Sequence, residues 1–81
     1  MKALGIDIGS LTTKAVVMDN NRILASIIIP SSDEAEPGAR AAMTEVLGQA
    51  GLDSTSDLYI VSTGIGGKSI SFSQQRKATT T

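Results

Sequence analysis

The stretch Gly5-Ile6-Asp7-Ile8-Gly9-Ser10-Leu11-Thr12-Thr13-Lys14 decides how this chain folds. Leu4, Ile6 and Ile8 alternate with Ala3, Gly5, Asp7 and Gly9, the period of a strand with one apolar face, so Asp7 falls on the other face near the strand's end. Gly9-Ser10 supplies a tight turn, and Thr12 to Asp19, rich in Thr and Val, reads as a second strand. Asp19-Asn20-Asn21 tolerate positive φ and suit a two-residue hairpin turn into a third strand, Arg22 to Ile29, which Pro30 ends. These runs lie too close together for helical crossovers, which predicts a three-stranded antiparallel meander.

Beyond the meander, Ser31 to Glu36 reads as a polar loop, and Pro37 suits the first position of a helix, where its missing N–H is not needed. Ala39, Ala42, Met43, Val46, Leu47 and Ala50 recur at helical spacing and form one apolar stripe, with Arg40 and Glu45 on the solvated side and Gly51 placed to end the helix. After a polar loop from Asp53 to Asp57, Leu58 to Ser62 predicts a fourth strand, reached through the helix and therefore parallel to its neighbour. Gly64 to Gly67 reads as a flexible turn, Ser69 to Phe72 as extended, and Ser73 to Thr81 as polar without periodicity. The expected class is α/β, with a meander, one helix and a parallel fourth strand.

Composition bounds the chemistry. Eighty-one residues, 41% hydrophobic and 19% charged with a net charge of -1, describe one small globular unit. A chain this short buries only a little over about 60% of its unfolded surface, so its core is thin. The absence of Cys and His removes zinc-finger ligation, cysteine-ligated clusters and Ser-His-Asp catalysis from these residues and leaves carboxylates, hydroxyls, Lys, Arg and backbone amides. Seven Lys and Arg against eight Asp and Glu, with Tyr59 and Phe72 the only aromatics, argue against nucleic-acid binding, and Gln74-Gln75-Arg76-Lys77 reads as a solvated basic segment. No apolar run approaches the ~20 residues that span a bilayer, and Met1-Lys2 leads into a strand, not a secretory signal, so a cytoplasmic location is expected.

Two glycine-bearing segments invite a phosphate. In the first, a hairpin tip of small residues exposes successive backbone N–H groups that can hold a phosphate, and Asp7 beside it is placed to hold Mg²⁺ directly or through water. Thr12 or Thr13 would donate to phosphate oxygens and Lys14 would neutralise charge; equally, Asp7 caps turn amides and Lys14 is solvated in an ordinary hairpin. In the second, Ser62-Thr63-Gly64-Ile65-Gly66-Gly67-Lys68-Ser69 misses the P-loop pattern because Ser62 stands where its first glycine belongs. A dinucleotide site is disfavoured too, since Asp7 between Gly5 and Gly9 would face the pyrophosphate with like charge.

The run Gly5 to Asp19 resembles the phosphate-1 motif that opens the acetate and sugar kinase, Hsp70 and actin superfamily, whose fold is ribonuclease H-like. With the helix ending Ala50-Gly51-Leu52 and the strand leading into Ser62-Thr63-Gly64, the chain is similar to the start of the BadF/BadG/BcrA/BcrD-type ATPases, the benzoyl-CoA reductase subunits and 2-hydroxyacyl-CoA dehydratase activators. The resemblance implies ATP and Mg²⁺, hydrolysis coupled to low-potential electron transfer toward a CoA thioester, and an iron–sulfur cluster shared by two subunits. It implies a catalytic, metal-positioning role for Asp7 and phosphate contacts from Gly9, Ser10, Thr12, Thr13 and Lys14. Many members read Thr-Gly-Tyr-Gly-Arg where this chain has Thr63-Gly64-Ile65-Gly66-Gly67, so no role transfers to Tyr or Arg.

On this reading residues 1–67 are an incomplete N-terminal actin-like subdomain, and residues 68–81 lead toward the rest of the lobe. The second phosphate loop, the adenosine loop and the cluster cysteines would belong to later sequence, and the chain is expected to be inactive alone. Its expected partners are ATP, other reductase or dehydratase subunits, and further copies of itself through an exposed sheet edge. A fragment of a sugar- or acetate-kinase-like phosphotransferase and a non-enzymatic self-associating module are the competing expectations.

Overall fold

A computed structural model of the chain describes residues 2–52, 58–64 and 75–76. Strands β1 (Lys2–Ile8), β2 (Thr12–Asp19) and β3 (Arg22–Pro30) are followed by helix α1 (Ala35–Ala50), β4 (Leu58–Gly64) and a short β5 (Gln75–Arg76). They form one mixed sheet in the order β3-β2-β1-β4-β5. The meander is antiparallel, and β4 pairs in parallel with β1, as the helical connection requires.

The expected strands stand, with small extensions. β3 continues through Pro30, which lies in the edge strand, where its missing N–H leaves no ladder bond unmade. β4 runs two residues further than expected, to Gly64, so the start of the second glycine-rich segment is strand and Ser62 is fully buried within it. Residues 65–74, which include the expected extended piece Ser69 to Phe72, lie outside the described residues. Gln75 and Arg76, in the segment read as having no periodicity, pair in parallel with Val61 and Ser62. The β2–β3 turn uses Asn20 at φ 54, and one extra residue, Leu24, bulges where the register shifts between Val17 and Met18.

Alternation determines what α1 covers. Leu4, Ile6, Ile8, Ala15, Val17, Ile27, Leu58 and Ile60 are buried together with Ala39, Ala42, Val46 and Leu47 of the helix. Ala39 and Ala42 are fully buried, and their small side chains let the helix axis approach the sheet. The helix begins two residues before Pro37, which is harmless because no N–H of the first turn has an intrahelical partner. It ends on Gly51 at φ 75, with Gly51 N–H donating to Gly48 O and Leu52 N–H to Leu47 O, the paired bonds of a Schellman motif.

The end of β4 leaves no room for a side chain. Gly64 has φ 104, and a Cβ there would sit 2.2 Å from Ile8 O. Gly64→Ala should therefore lower stability by at least about 2 kcal/mol, from positive-φ strain together with the clash. Gly48→Ala, in a helix position with nothing within 4 Å of a new Cβ, should raise it by about 0.5–1 kcal/mol. Urea denaturation of the two variants checks both signs.

Candidate functional site

The site residues gather at the end of the sheet where β1 turns into β2 and β4 stops. In the ladders Asp7 stands between Lys14 of β2 and Thr63 of β4, and Ile8 stands between Thr13 and Gly64. Asp7, Lys14 and Thr63 line one face, opposite α1, as the period-2 reading of β1 required. Thr12 shares that face by alternation and is exposed, whereas Thr13 shares its parity with Ala15 and Val17 and is only 1% exposed, on the side that α1 covers. The two threonines are thus separated by the sheet itself.

Asp7 carries a buried acceptor that no described residue satisfies. Its Oδ1 is buried and, among the described residues, has no hydrogen-bond partner. An orphaned carboxylate oxygen in a folded protein is unfavourable unless something else binds there. It is a hard oxygen donor, and among the described residues no group of three or more His, Cys, Asp or Glu offers an all-protein metal cage. That donor set fits Mg²⁺, which commonly takes one or two carboxylates and completes its shell with water and substrate phosphates. A chain without cysteine does not fit an iron–sulfur cluster.

The turn is tied down from β3. Gly9 N–H donates to Thr12 O at 2.9 Å, and Ser31 N–H donates to Leu11 O at 2.9 Å. The Ser31 hydroxyl donates to Gly9 O at 2.7 Å and lies 3.0 Å from Thr13 Oγ1. The sequence places Ser31 in a polar loop; a hydroxyl just past a strand carries no sequence signal for a contact across the sheet end. Thr13 did carry one, the alternation that groups it with Ala15 and Val17.

Two recesses flank this end. A small one of about 240 Å³ on the Ser31 side is lined by Gly9, Ser10, Ser31, Ser32 and Asp33, close to the start of α1. The larger, about 630 Å³, is an apolar groove over Gly5, Val16, Ile28 and Val61, with Asp7, Lys14 and Thr63 along it. Nothing among the described residues covers the groove, and Ile28 and Val61 are exposed along it. The helix face carries an i,i+4 pair, half-buried Glu36 with exposed Arg40 at 3.9 Å, in keeping with a solvated surface.

Comparison with solved structures identifies the fold. The chain is similar to the activator of the 2-hydroxyisocaproyl-CoA dehydratase from Clostridium difficile, a structure with bound ADPNP, at 30% identity and a TM-score of 0.82 over 99% of this chain and 29% of that one. Component A of the (R)-2-hydroxyglutaryl-CoA dehydratase from Acidaminococcus fermentans matches at 24% identity and 0.80, over 99% of this chain and 30% of that one. A ROK hexokinase from Thermus thermophilus matches at 23% identity and 0.62, over 80% of this chain and 24% of that one. No protein-family model matches the chain, and no curated protein matches it. The chain therefore has part of the ribonuclease H-like, actin-like ATPase fold, in the acetate and sugar kinase, Hsp70 and actin superfamily. It spans under a third of the length of each of these three proteins. No helix among the described residues is long and apolar enough to cross a membrane.

If Asp7 is kept for a ligand and not for the fold, Asp7→Asn should leave the structure intact and raise stability, by up to about 1 kcal/mol, because the neutral amide is less costly to leave unpaired. A urea midpoint below that of the wild type would show that the carboxylate is already satisfied.

Proposed function

We propose that this chain is the nucleotide-phosphate end of an actin-like ATPase of the dehydratase-activator and benzoyl-CoA reductase type. In that reading the longer protein couples ATP hydrolysis to low-potential electron transfer toward a CoA thioester, with reductase or dehydratase subunits as partners. The observation that carries the proposal is the orphaned Oδ1 of Asp7 beside a small-residue hairpin. Similarity to an activator structure with bound ADPNP supports it. Residues 1–67 would be the opening of the subdomain and residues 68–81 the lead into the rest of its lobe; the parallel seat of Gln75 and Arg76 beside β4 supports that continuation.

Each residue has a chemical task in this reading. Gly9 and Ser10 bring backbone amides close to the phosphates without side-chain bulk, and Thr12 and Lys14 stand on the same face to donate and to offset charge. Thr13 belongs to the same hairpin from inside the sheet. Asp7 would hold Mg²⁺ or the attacking water in line with the phosphate, and bound Mg²⁺ would neutralise charge on the phosphate oxygens. The cluster would be held by residues other than these. Without a second lobe the hairpin offers few contacts and no enclosure, so the chain alone would be inactive.

In a longer ATPase bearing this sequence, Asp7→Ala should reduce ATP turnover by at least about 100-fold, the scale of losing a charge-positioning group at a reacting phosphate. Turnover equal to wild type would refute the assignment. Calorimetry of the 81-residue chain with Mg-ATP should give no saturable micromolar binding; such binding would mean that the hairpin suffices as a site and that the chain is not inert alone.

A second reading, self-association, draws on a separate observation. β3 is the long edge of the sheet, and its Ile23 and Ile28 are 64% and 65% exposed, with no charged residue between Arg22 and Pro30. Such an edge is a template for a second strand. Sedimentation of the chain at high micromolar concentration should show oligomers that Ile28→Lys disperses, whereas a wild-type monomer would remove this reading.

A further inference from the structure

We infer that Ser31 is a positioning residue for the phosphate hairpin, and that it works by turning two carbonyl groups of the tip inward. The inference rests on the reading of the hairpin as a phosphate site. Ser31 receives both carbonyls: its hydroxyl donates to Gly9 O at 2.7 Å, and its N–H donates to Leu11 O at 2.9 Å. The backbone here has no cis peptide bond, and in a planar trans peptide the N–H points opposite the C=O. Drawing Gly9 O and Leu11 O toward Ser31 therefore turns the next amides, Ser10 N–H and Thr12 N–H, away from it. Among the described residues no hydrogen bond takes up Ser10 N–H. Donors aimed outward at the tip are what an anion needs, and a loop free to rotate its peptides would present them only part of the time.

Thr13 completes the device. The one hydroxyl hydrogen of Ser31 is committed to Gly9 O, so the 3.0 Å contact with Thr13 must be donated by Thr13. The bonds then run in one direction, from Thr13 Oγ1 to Ser31 Oγ to Gly9 O, and each polarises the next. Thr13 is 1% exposed, so this chain starts from a side chain locked in the sheet, and the tip inherits the rigidity of β2. Thr13 accordingly acts on phosphate through Ser31, while Thr12 stands on the open face.

Electrostatics favour the same side. The recess by Ser31 is lined in part by Asp33, and the start of α1 already carries Glu34 and Glu36, so the positive end of that helix is offset by the chain's own acids. An anion is disfavoured there. On the open face Lys14 is exposed beside the tip, and the one carboxylate there among the described residues, Asp7, would be offset by bound Mg²⁺.

The test is an NMR titration of the 81-residue chain with Mg-ATP and, separately, with pyrophosphate, following the amides of residues 9–13. The wild type should show shifts confined to the hairpin that build up only at millimolar ligand, below the reach of micromolar calorimetry. Ser31→Ala keeps the backbone N–H and loses both hydroxyl bonds; it should weaken the titration about 3- to 10-fold, the scale of one or two hydrogen bonds, and broaden the Gly9 and Ser10 amides before any ligand is added. Ser31→Thr should restore the wild-type response, and Thr13→Val, which removes only the donor, should fall between. A dispersed spectrum reports folding in each variant, and should Ser31→Ala unfold, the Thr13→Val titration decides the matter alone. Binding by a folded Ser31→Ala or Thr13→Val chain equal to wild type overturns the positioning role and leaves the hairpin as a phosphate site. No phosphate-dependent shift in the wild-type hairpin overturns both.

Discussion

Strand β1 is hydrogen-bonded along both sides for its whole length, to β2 in one direction and to β4 in the other. This double pairing is the constraint on which the rest depends. Because the side-chain period of a strand is two, a slip of one residue against either neighbour would exchange its faces and carry Asp7 under α1 while expelling Leu4, Ile6 and Ile8. Burial of those three residues against Ala39, Ala42, Val46 and Leu47 therefore sets the register, and the register sets where the carboxylate stands. The site inherits its position from the core.

The same constraint brings distant residues together. Parallel pairing puts Thr63 beside Asp7 and Gly64 against Ile8, so the end of β4 closes on the end of β1 with only a glycine able to fit. Antiparallel pairing puts Lys14 on the other flank. Two turns of different kinds hold this end. The β2–β3 turn relies on its own residues, with Asn20 in the left-handed region, whereas the β1–β2 turn is held by a serine from outside it. That difference suits their roles in the proposed function: the first has only to reverse the chain, and the second has to present donors in a fixed direction.

A sheet end with this geometry trades stability for readiness. A buried oxygen and an apolar groove that have, among the described residues, neither partner nor cover both weaken the isolated fold. A ligand at Asp7 and further polypeptide over the groove would relieve them, which is the logic by which binding adds to the stability of small folds.

Much of this was legible in the residues. The alternation of Leu4, Ile6 and Ile8, the Asn20-Asn21 turn, the apolar stripe of α1 and the glycine that ends it follow from local steric and hydrophobic rules, and β2 keeps its expected bounds of Thr12–Asp19. The motif Gly5 to Lys14 pointed to the superfamily that the solved structures share. Other features needed the tertiary structure. Gln75 and Arg76 are strand because β4 offers them an edge, and two residues are too few to show a period. Ser31 and Thr13 are adjacent because β3 ends beside the hairpin, a contact between residues that no local pattern links. The orphaned state of Asp7 Oδ1 is likewise a property of the packed site, since an unmet hydrogen bond exists only once the neighbours that exclude water are in place.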